Sequence, residues 1–243
     1  MSMDNPSTAS AEAAESVRLS VVVPCYQDQD SIAPLIERLD PVLTELGGNC
    51  EVVLVDDGSR DRTFESAVAE GAKSAHRVKS IRLLRNFGQH PAVCAGMAEA
   101  DGEIVVTMDS DMQYPPEEIP KLVAELDDDC RVVSGYREDR KDPLVRRLIT
   151  RMLTKWLNRQ MRSDLVDFGS MFRAYDRSVV EQMTAMTERH RFVPAMVTWL
   201  GVPIKEIPVQ HDARSGAGSR YRLSSLIELV LDLVTGYVVF PLR

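Results

Sequence analysis

Residues 102–120 read GEIVVTMDSDMQYPPEEIP. The apolar, β-branched run Ile104–Met108 stops at two aspartates, Asp109 and Asp111, and Pro115-Pro116-Glu117-Glu118 then opens a helix over Glu117–Leu126. A short apolar run without alternation fits a strand buried on both faces. Prolines and acids at the following turn are helix-start chemistry. The same unit recurs on either side. Leu19–Val23, Val52–Val55, Ile81–Leu84 and Arg131–Gly135 are further strand candidates, and Ile32–Leu46, Arg62–Ala72 and Pro91–Ala100 are each long enough for a helix. This alternation predicts an α/β fold, a mostly parallel central sheet with helices on both faces. Such sheets bind ligands at the carboxyl ends of their strands. The residues waiting there are Pro24-Cys25-Tyr26, Asp56-Asp57-Gly58-Ser59, Arg85-Asn86-Phe87-Gly88 and Asp109-Ser110-Asp111.

From about residue 137 the pattern changes. A basic helical stretch is expected from Asp142 to about Met161, with Leu144, Leu148, Ile149, Met152 and Trp156 on its apolar face. Nine Lys/Arg lie between Arg137 and Arg162 against three acids, a local positive excess in a chain of net charge −8. Most charge runs are solvated faces; the alternative is a site for an anionic substrate or a membrane surface. A strand is expected at Ile204–Val209, then a loop, HDARSGAGSRY, whose Gly216, Gly218, Arg214 and Arg220 suit closure over a diphosphate. His211 reads as a structural hydrogen-bonding residue rather than a catalytic one. An amphipathic helix follows from Leu223. Its apolar stretch, residues 226–240, holds Glu228 and Asp232 and falls short of the roughly 20 residues a membrane span needs. Residues 1–16 lack the apolar segment of a signal peptide and read as a disordered tail. The expected division is a tail over 1–16, a catalytic domain over 17–222 and an amphipathic juxtamembrane helix over 223–243.

Composition narrows the function. With 44% hydrophobic and 27% charged residues, the chain has the make-up of a globular domain, not a disordered one. Its acidic balance weighs against a non-specific nucleic-acid binder. Four cysteines lie far apart with no CxxC pair, which disfavours a disulfide framework or a zinc site and favours a reducing compartment.

Asp109 and Asp111, two residues apart at a strand end, can share one hard divalent cation, Mg²⁺ or Mn²⁺, with Gln113 offering a carbonyl oxygen. The competing reading is that Asp111 caps the helix after it. Asp56 can accept from a nucleobase N–H or a ribose hydroxyl, whereas Asp57 and Ser59 serve equally as turn and N-cap residues. No GxGxxG follows the first strand, where PCYQDQD stands instead, so a dehydrogenase is disfavoured.

Four stretches together carry a specific resemblance: VVVPCYQDQDSI (21–32), LVDDGSRDRT (54–63), RNFGQHPAVCAGMAEADGEIVVTMDSDMQYPPEEIP (85–120) and EIPVQHDARSGAGSRYRLSSLIELVLDLVTGYVVFPLR (206–243). They resemble the family 2 glycosyltransferases of the nucleotide-diphospho-sugar (GT-A) fold, and within these the polyprenyl-phosphate group: dolichol-phosphate mannose synthases, bactoprenol glucosyltransferases and, nearest through RNFGQH, MFRAY and EIPVQH, the undecaprenyl-phosphate 4-deoxy-4-formamido-L-arabinose transferases. The resemblance implies Asp109, Asp111 and Gln113 as metal ligands and Pro24, Tyr26, Asp28 and Asp56 in the nucleotide pocket. Arg137, Arg146 and Arg214 match arginines on the acceptor phosphate or donor diphosphate, Thr150 falls at the acceptor phosphate, and Asp167 and Gly169 fall near the sugar. Two departures stand out: Gln27-Asp28 replaces the more usual Asn-Glu, and Arg220, placed with the donor, replaces a lysine, keeping charge but changing geometry.

The activity implied is metal-dependent, inverting transfer from a nucleotide-diphospho-sugar, with UDP the expected nucleotide, to a polyprenyl phosphate at the cytoplasmic face of the inner membrane, for cell-envelope glycan or lipid A modification. Many relatives continue past the closing PLR into transmembrane helices, and homo-oligomers occur among them. A phosphate-monoester acceptor with a second pKa of about 6 is already largely a dianion near neutral pH, so no dedicated general base is expected. The competing readings are transfer to a sugar hydroxyl in polysaccharide assembly, a non-catalytic nucleotide-sugar-binding module, whose DxD would be broken, and a nucleotidylyltransferase, which would want a glycine-rich basic loop after the first strand.

Overall fold

The computed structural model describes residues 18–137, 158–159, 165–167, 169–187 and 191–211. Seven strands form one sheet: β1 (Leu19–Cys25), β2 (Cys50–Asp56), β3 (Arg77–Arg82), β4 (Ile104–Thr107), β5 (Val132–Arg137), β6 (Arg173–Asp176) and β7 (Ile204–Val209). Their spatial order is β3-β2-β1-β4-β6-β5-β7. Every neighbouring pair is parallel except the two made by β6, which runs antiparallel to β4 and β5. Helices α1 (Ile32–Glu45), α2 (Thr63–Gly71), α3 (Gln89–Glu99), α4 (Ile119–Ala124), α5 (Arg177–Ala185) and α6 (Val193–Trp199) complete the α/β architecture, with a 3-10 turn at Pro116–Glu118 ahead of α4. No helix among the described residues is long and apolar enough to cross a membrane.

The unbroken apolar strands are explained by two cores. Along β1, Val21 and Val23 join the core beneath α1, which also holds Leu35, Leu39, Val52 and Leu54. Val22, between them, joins the core on the opposite face with Val53, Val55, Val105 and residues of α3, α5 and α6. Because successive side chains point to opposite faces, a strand covered on both is apolar at most positions, and the buried Ser20 and Glu51 are paired to each other.

Two strands depart from the expected pattern. The third strand is Arg77–Arg82, RVKSIR, not Ile81–Leu84. It is an edge strand, and its arginines and lysine mark the solvated border where apolar content is not required. Strand β6 was not expected at all. It contains only Arg173-Ala-Tyr-Asp and carries a fully buried arginine, so no apolar run announces it. The strand at Ile204–Val209 and the first four helices fall where expected, within a few residues. The basic stretch 142–157, the loop after His211 and the helix from Leu223 lie outside the described residues.

Helix α3 lies close against β1 and β2 because Gly96 lets it. A Cβ there would fall 2.4 Å from Val22 Cγ1 and 2.9 Å from Val55 Cγ2. Replacing a helical glycine by alanine ordinarily gains about 1 kcal/mol. Here overpacking, typically about 1–3 kcal/mol, opposes it. Gly96→Ala is therefore expected to lower stability, read as a lower urea midpoint at unchanged m-value; a raised midpoint would show the helix free to move off the sheet.

Candidate active site

At the carboxyl edge of the sheet, three loops are joined by carboxylates. After β1 the chain turns through Gln27, at φ 54°. Asp28 Oδ2 accepts from Tyr26 N at 3.0 Å and from Ser110 Oγ at 2.8 Å, tying this loop to the Asp109-Ser110-Asp111 turn. Gln27 N donates to Ser59 Oγ at 3.0 Å, and Asp28 N to Thr63 Oγ1 at 2.9 Å, tying it also to the loop after β2. Pro24 is buried within β1 opposite Val55, and the half-buried Tyr26 follows it at the edge.

Asp56 ends β2, almost wholly buried. Its Oδ1 accepts from Ser59 N at 3.0 Å. Its Oδ2 lies 3.3 Å from Arg82 Nε as an ion pair but accepts no hydrogen bond, so it has acceptor capacity to spare. Asp57 faces the other way and accepts from Phe87 N and Gly88 N, both at 2.8 Å. Burial nonetheless pushes its carboxyl up, against those two bonds and with help from Asp56. Asp57 and Ser59 are thus loop anchors; the N-cap position of α2 belongs to Arg62. Gly58, at φ +66°, permits the close approach: a Cβ there would sit 2.4 Å from the Arg85 carbonyl carbon.

Asp109 is half-buried, and its Oδ1 accepts from Gln89 Nε2 at the start of α3, 2.5 Å away. Burial and then the charge of Asp111 push its carboxyl up to about 7, with Asp28 adding to the rise and Arg137 and Gln89 opposing it. Asp111 Oδ1 accepts from Gln113 N at 3.2 Å, closing the turn in which Met112 takes φ 51°. It does not cap the next helical segment, whose N-cap position is Pro115. Gln113 Oε1 accepts from Arg137 Nη2 at 2.8 Å and lies 3.2 Å from His211 Nε2. Tyr114 stacks on Phe172 at 5.2 Å, meets the His211 ring edge-on at 5.4 Å and lies under the Arg137 guanidinium at 5.5 Å. His211 is thus packed between Gln113 and Tyr114. Asp167 is buried, with its Oδ1 accepting from Gly169 N at 3.0 Å and its backbone N held by Glu206 Oε1. Arg146, Thr150, Arg214 and Arg220 lie outside the described residues.

A sequence profile of Glycosyl transferase family 2 matches residues 20–184, which run from the second residue of β1 through nearly all of α5 and include Asp28, Asp56, Asp57, Asp109, Asp111 and Asp167. The chain belongs to that family. It is 40% identical, over 93% of its length and 69% of the relative's, to the undecaprenyl-phosphate 4-deoxy-4-formamido-L-arabinose transferase of Edwardsiella ictaluri. It is 38% identical to the enzyme of the same name from Klebsiella pneumoniae, again covering 93% and 69%. Among solved structures, glucosyl-3-phosphoglycerate synthase of Mycobacterium tuberculosis, in complex with Mn²⁺, UDP and phosphoglyceric acid, superposes with a TM-score of 0.68 at 18% identity, covering 92% of this chain and 80% of that one. That likeness establishes the GT-A fold. The protein is a glycosyltransferase enzyme of family 2.

The donor set of this glycosyltransferase fits a hard cation. Among the described residues no three His, Cys, Asp or Glu side chains converge into a metal cage. Two carboxylates and an amide are present instead, and the Asp109 carboxyl is raised first by burial and then by the charge of Asp111, against Arg137. Mg²⁺ and Mn²⁺ suit such sites, where water and substrate phosphates complete the shell. The Gln113 carbonyl lies within hydrogen-bond reach of both Arg137 and His211 and would join a cation by giving up one of them.

The sequence reading did not single out Ser110 or Gln89, although both sit beside the metal-binding candidates. Ser110 is the middle residue of the DxD and could have been suspected from its place alone. The reach of Gln89 from α3 depends on β4 and α3 sharing a face, which no local pattern reveals.

The Asp109 shift makes a prediction. The folded protein holds this proton more tightly than the unfolded chain, so in chelator its stability falls as pH rises from about 4 to about 7 and is flat above. Asp109→Asn, which mimics the protonated acid, should be more stable than the wild type at pH 8 by an amount on the order of a few kcal/mol, with the difference vanishing near pH 4. Urea midpoints across that range, in EDTA, measure it; parallel pH profiles for the two proteins would refute it.

Proposed function

We propose that this glycosyltransferase moves a sugar, with inversion, from a uridine diphosphate sugar to a polyprenyl phosphate of the undecaprenyl type, at the cytoplasmic face of a membrane and in lipid A or other envelope-glycan modification. The observation that carries the reading is the 38–40% identity, across 93% or more of the chain, to transferases named for undecaprenyl phosphate. The crevice supports it. The spare acceptor Asp56 Oδ2 suits a nucleobase N–H, with Pro24, Tyr26 and Asp28 forming the rest of the nucleotide pocket. Asp109 and Asp111, with Gln113, would hold Mg²⁺ or Mn²⁺. A bound cation would supply Lewis-acid neutralisation of the charge that grows on the departing diphosphate.

The chain's own residues do the rest. Ser110, by holding Asp28, keeps the nucleotide loop against the metal-binding turn. Arg137 lies close enough to Asp109 to oppose its elevation, where it can take up an oxygen of the donor diphosphate or of the acceptor phosphate. Arg146 and Thr150 are assigned to the acceptor phosphate, Arg214 and Arg220 to the donor diphosphate, and Asp167 with Gly169 to the sugar. The acceptor phosphate, already ionised near neutral pH, attacks without a dedicated base.

The test is transfer to undecaprenyl phosphate from a panel of UDP-sugars with Mn²⁺, Mg²⁺ or EDTA. Metal-dependent transfer from one donor is expected. Transfer to sugar hydroxyls but not to the lipid phosphate would overturn the acceptor assignment. Asp111→Asn should lower turnover by more than the roughly 10–100-fold that loss of an outer-shell partner costs. Activity within a few fold of wild type would remove Asp111 from the metal site.

A further inference from the structure

Gln89 is the first residue of α3, and its Nε2 donates to Asp109 Oδ1, 20 residues further along the chain, at 2.5 Å. Among the described residues it is the one side chain hydrogen-bonded to the Asp109 carboxylate. Its own place is fixed from both sides. Phe87 and Gly88, just ahead of it, give their N–H groups to the two oxygens of Asp57, at 2.8 Å each, and so tie the start of α3 to the end of β2. Gly88 turns the chain into the helix at φ 99°, and its carbonyl accepts from Ala92 N. His90, just after it, packs edge-on to Phe192 at 4.6 Å. Holding a side chain as long as glutamine in one rotamer carries an entropic cost. Here that side chain is half-buried and spans the gap between α3 and the turn after β4.

The chemistry of the contact is specific. The last torsion of an aspartate is soft, so a carboxylate with no fixed neighbour swings about it. A donor on one oxygen fixes the plane of the group and leaves the other oxygen for a cation. A lysine or arginine in this position would also orient the carboxylate, but its charge would compete with the metal. The amide of glutamine donates and carries no charge. The second aspartate of the pair is treated in the same way: Asp111 Oδ1 accepts from Gln113 N, a neutral backbone donor, at 3.2 Å. Both carboxylates therefore have one oxygen held by an uncharged N–H.

We infer that Gln89 is a positioning residue for the divalent cation, fixing Asp109 as an oxygen ligand without neutralising the charge that draws the metal. This rests on the metal-dependent transferase reading above. Carboxylates that bind metals are ordinarily held by such outer partners, which orient them.

The test is the Mn²⁺ affinity of the full chain with saturating UDP, read from the electron paramagnetic resonance of free Mn²⁺, beside UDP affinity in EDTA by calorimetry. Gln89→Met keeps the length of the side chain and removes the donor. It should weaken Mn²⁺ by about 10–100-fold, with UDP affinity in EDTA unchanged. Gln89→Lys can still donate but adds a positive charge, and it too should bind Mn²⁺ more weakly than the wild type. Wild-type Mn²⁺ affinity in Gln89→Met overturns the proposal. So does a loss of UDP affinity in EDTA as large as the loss for Mn²⁺, since the crevice as a whole would then have loosened. Wild-type affinity in Gln89→Lys also overturns it, because a charged donor would serve as well. If Gln89→Met does not fold, Gln89→Asn, whose amide stops one methylene short of Asp109, takes its place under the same outcomes. Asp111→Asn separates this role from the reading beneath it. Loss of Mn²⁺ binding there, with none in Gln89→Met, sinks the positioning role alone; unchanged Mn²⁺ binding in both sinks the metal site itself.

Discussion

One carboxylate oxygen, Asp28 Oδ2, joins the first strand's loop to the fourth strand's turn by accepting from Tyr26 N and Ser110 Oγ. The remainder of the crevice is hung on that junction. Parallel strands deliver their ends to one edge but do not hold the loops beyond them in any particular arrangement. Here the loops are held by side chains accepting from other loops' backbone or hydroxyl groups: Asp28 from Ser110, Ser59 from Gln27, and Asp57 from Phe87 and Gly88. Those accepted by the carboxylates of Asp28 and Asp57 are charge-assisted, the stronger kind. Because Ser110 is buried and bonded to Asp28, the flanking aspartates are left free to point elsewhere, Asp109 towards Gln89 and Asp111 back on its own turn.

That arrangement carries a cost concentrated where chemistry is needed. Asp28, Asp109 and Asp111 share one end of the crevice, and burial, with Asp111 and then Asp28 adding to it, holds the Asp109 proton well above the ordinary carboxylate range. A fold selected for stability alone would disperse these charges or pair them. Instead the nearest cation, Arg137, is shared with Gln113 and lies over Tyr114. Perturbed carboxylates of this kind gather at functional sites because the missing partner arrives with the ligand.

Much of this was legible in the sequence, and the illegible parts have physical reasons. Strands β1, β2 and β4 are covered on both faces and so mostly apolar, and their runs are plain to read. β3 and β6 escape because one is an edge strand carrying Arg77, Lys79 and Arg82, and the other is four residues long with Arg173 at its start. Carboxylates that end strands, Asp56 and Asp109, were legible from position alone. The partition between Asp56, with an acceptor to spare, and Asp57, spent on a neighbouring loop, was not. Adjacent residues at a strand end point to opposite sides, and which side faces the crevice depends on the packing of α3. The pairing of Ser134 with Arg173 was invisible for the same reason: they lie in different strands, and register alone brings them together.

Helix α3 connects the packed core to the crevice. Its first residue, Gln89, holds the Asp109 carboxylate, and at Gly96 no side chain separates the helix from Val22 and Val55. The position of Gln89 is then a property of the packed core rather than of mobile side chains. A helix pushed off the sheet would carry Gln89 with it, and Asp109 would lose a donor that, with Arg137, opposes its protonation.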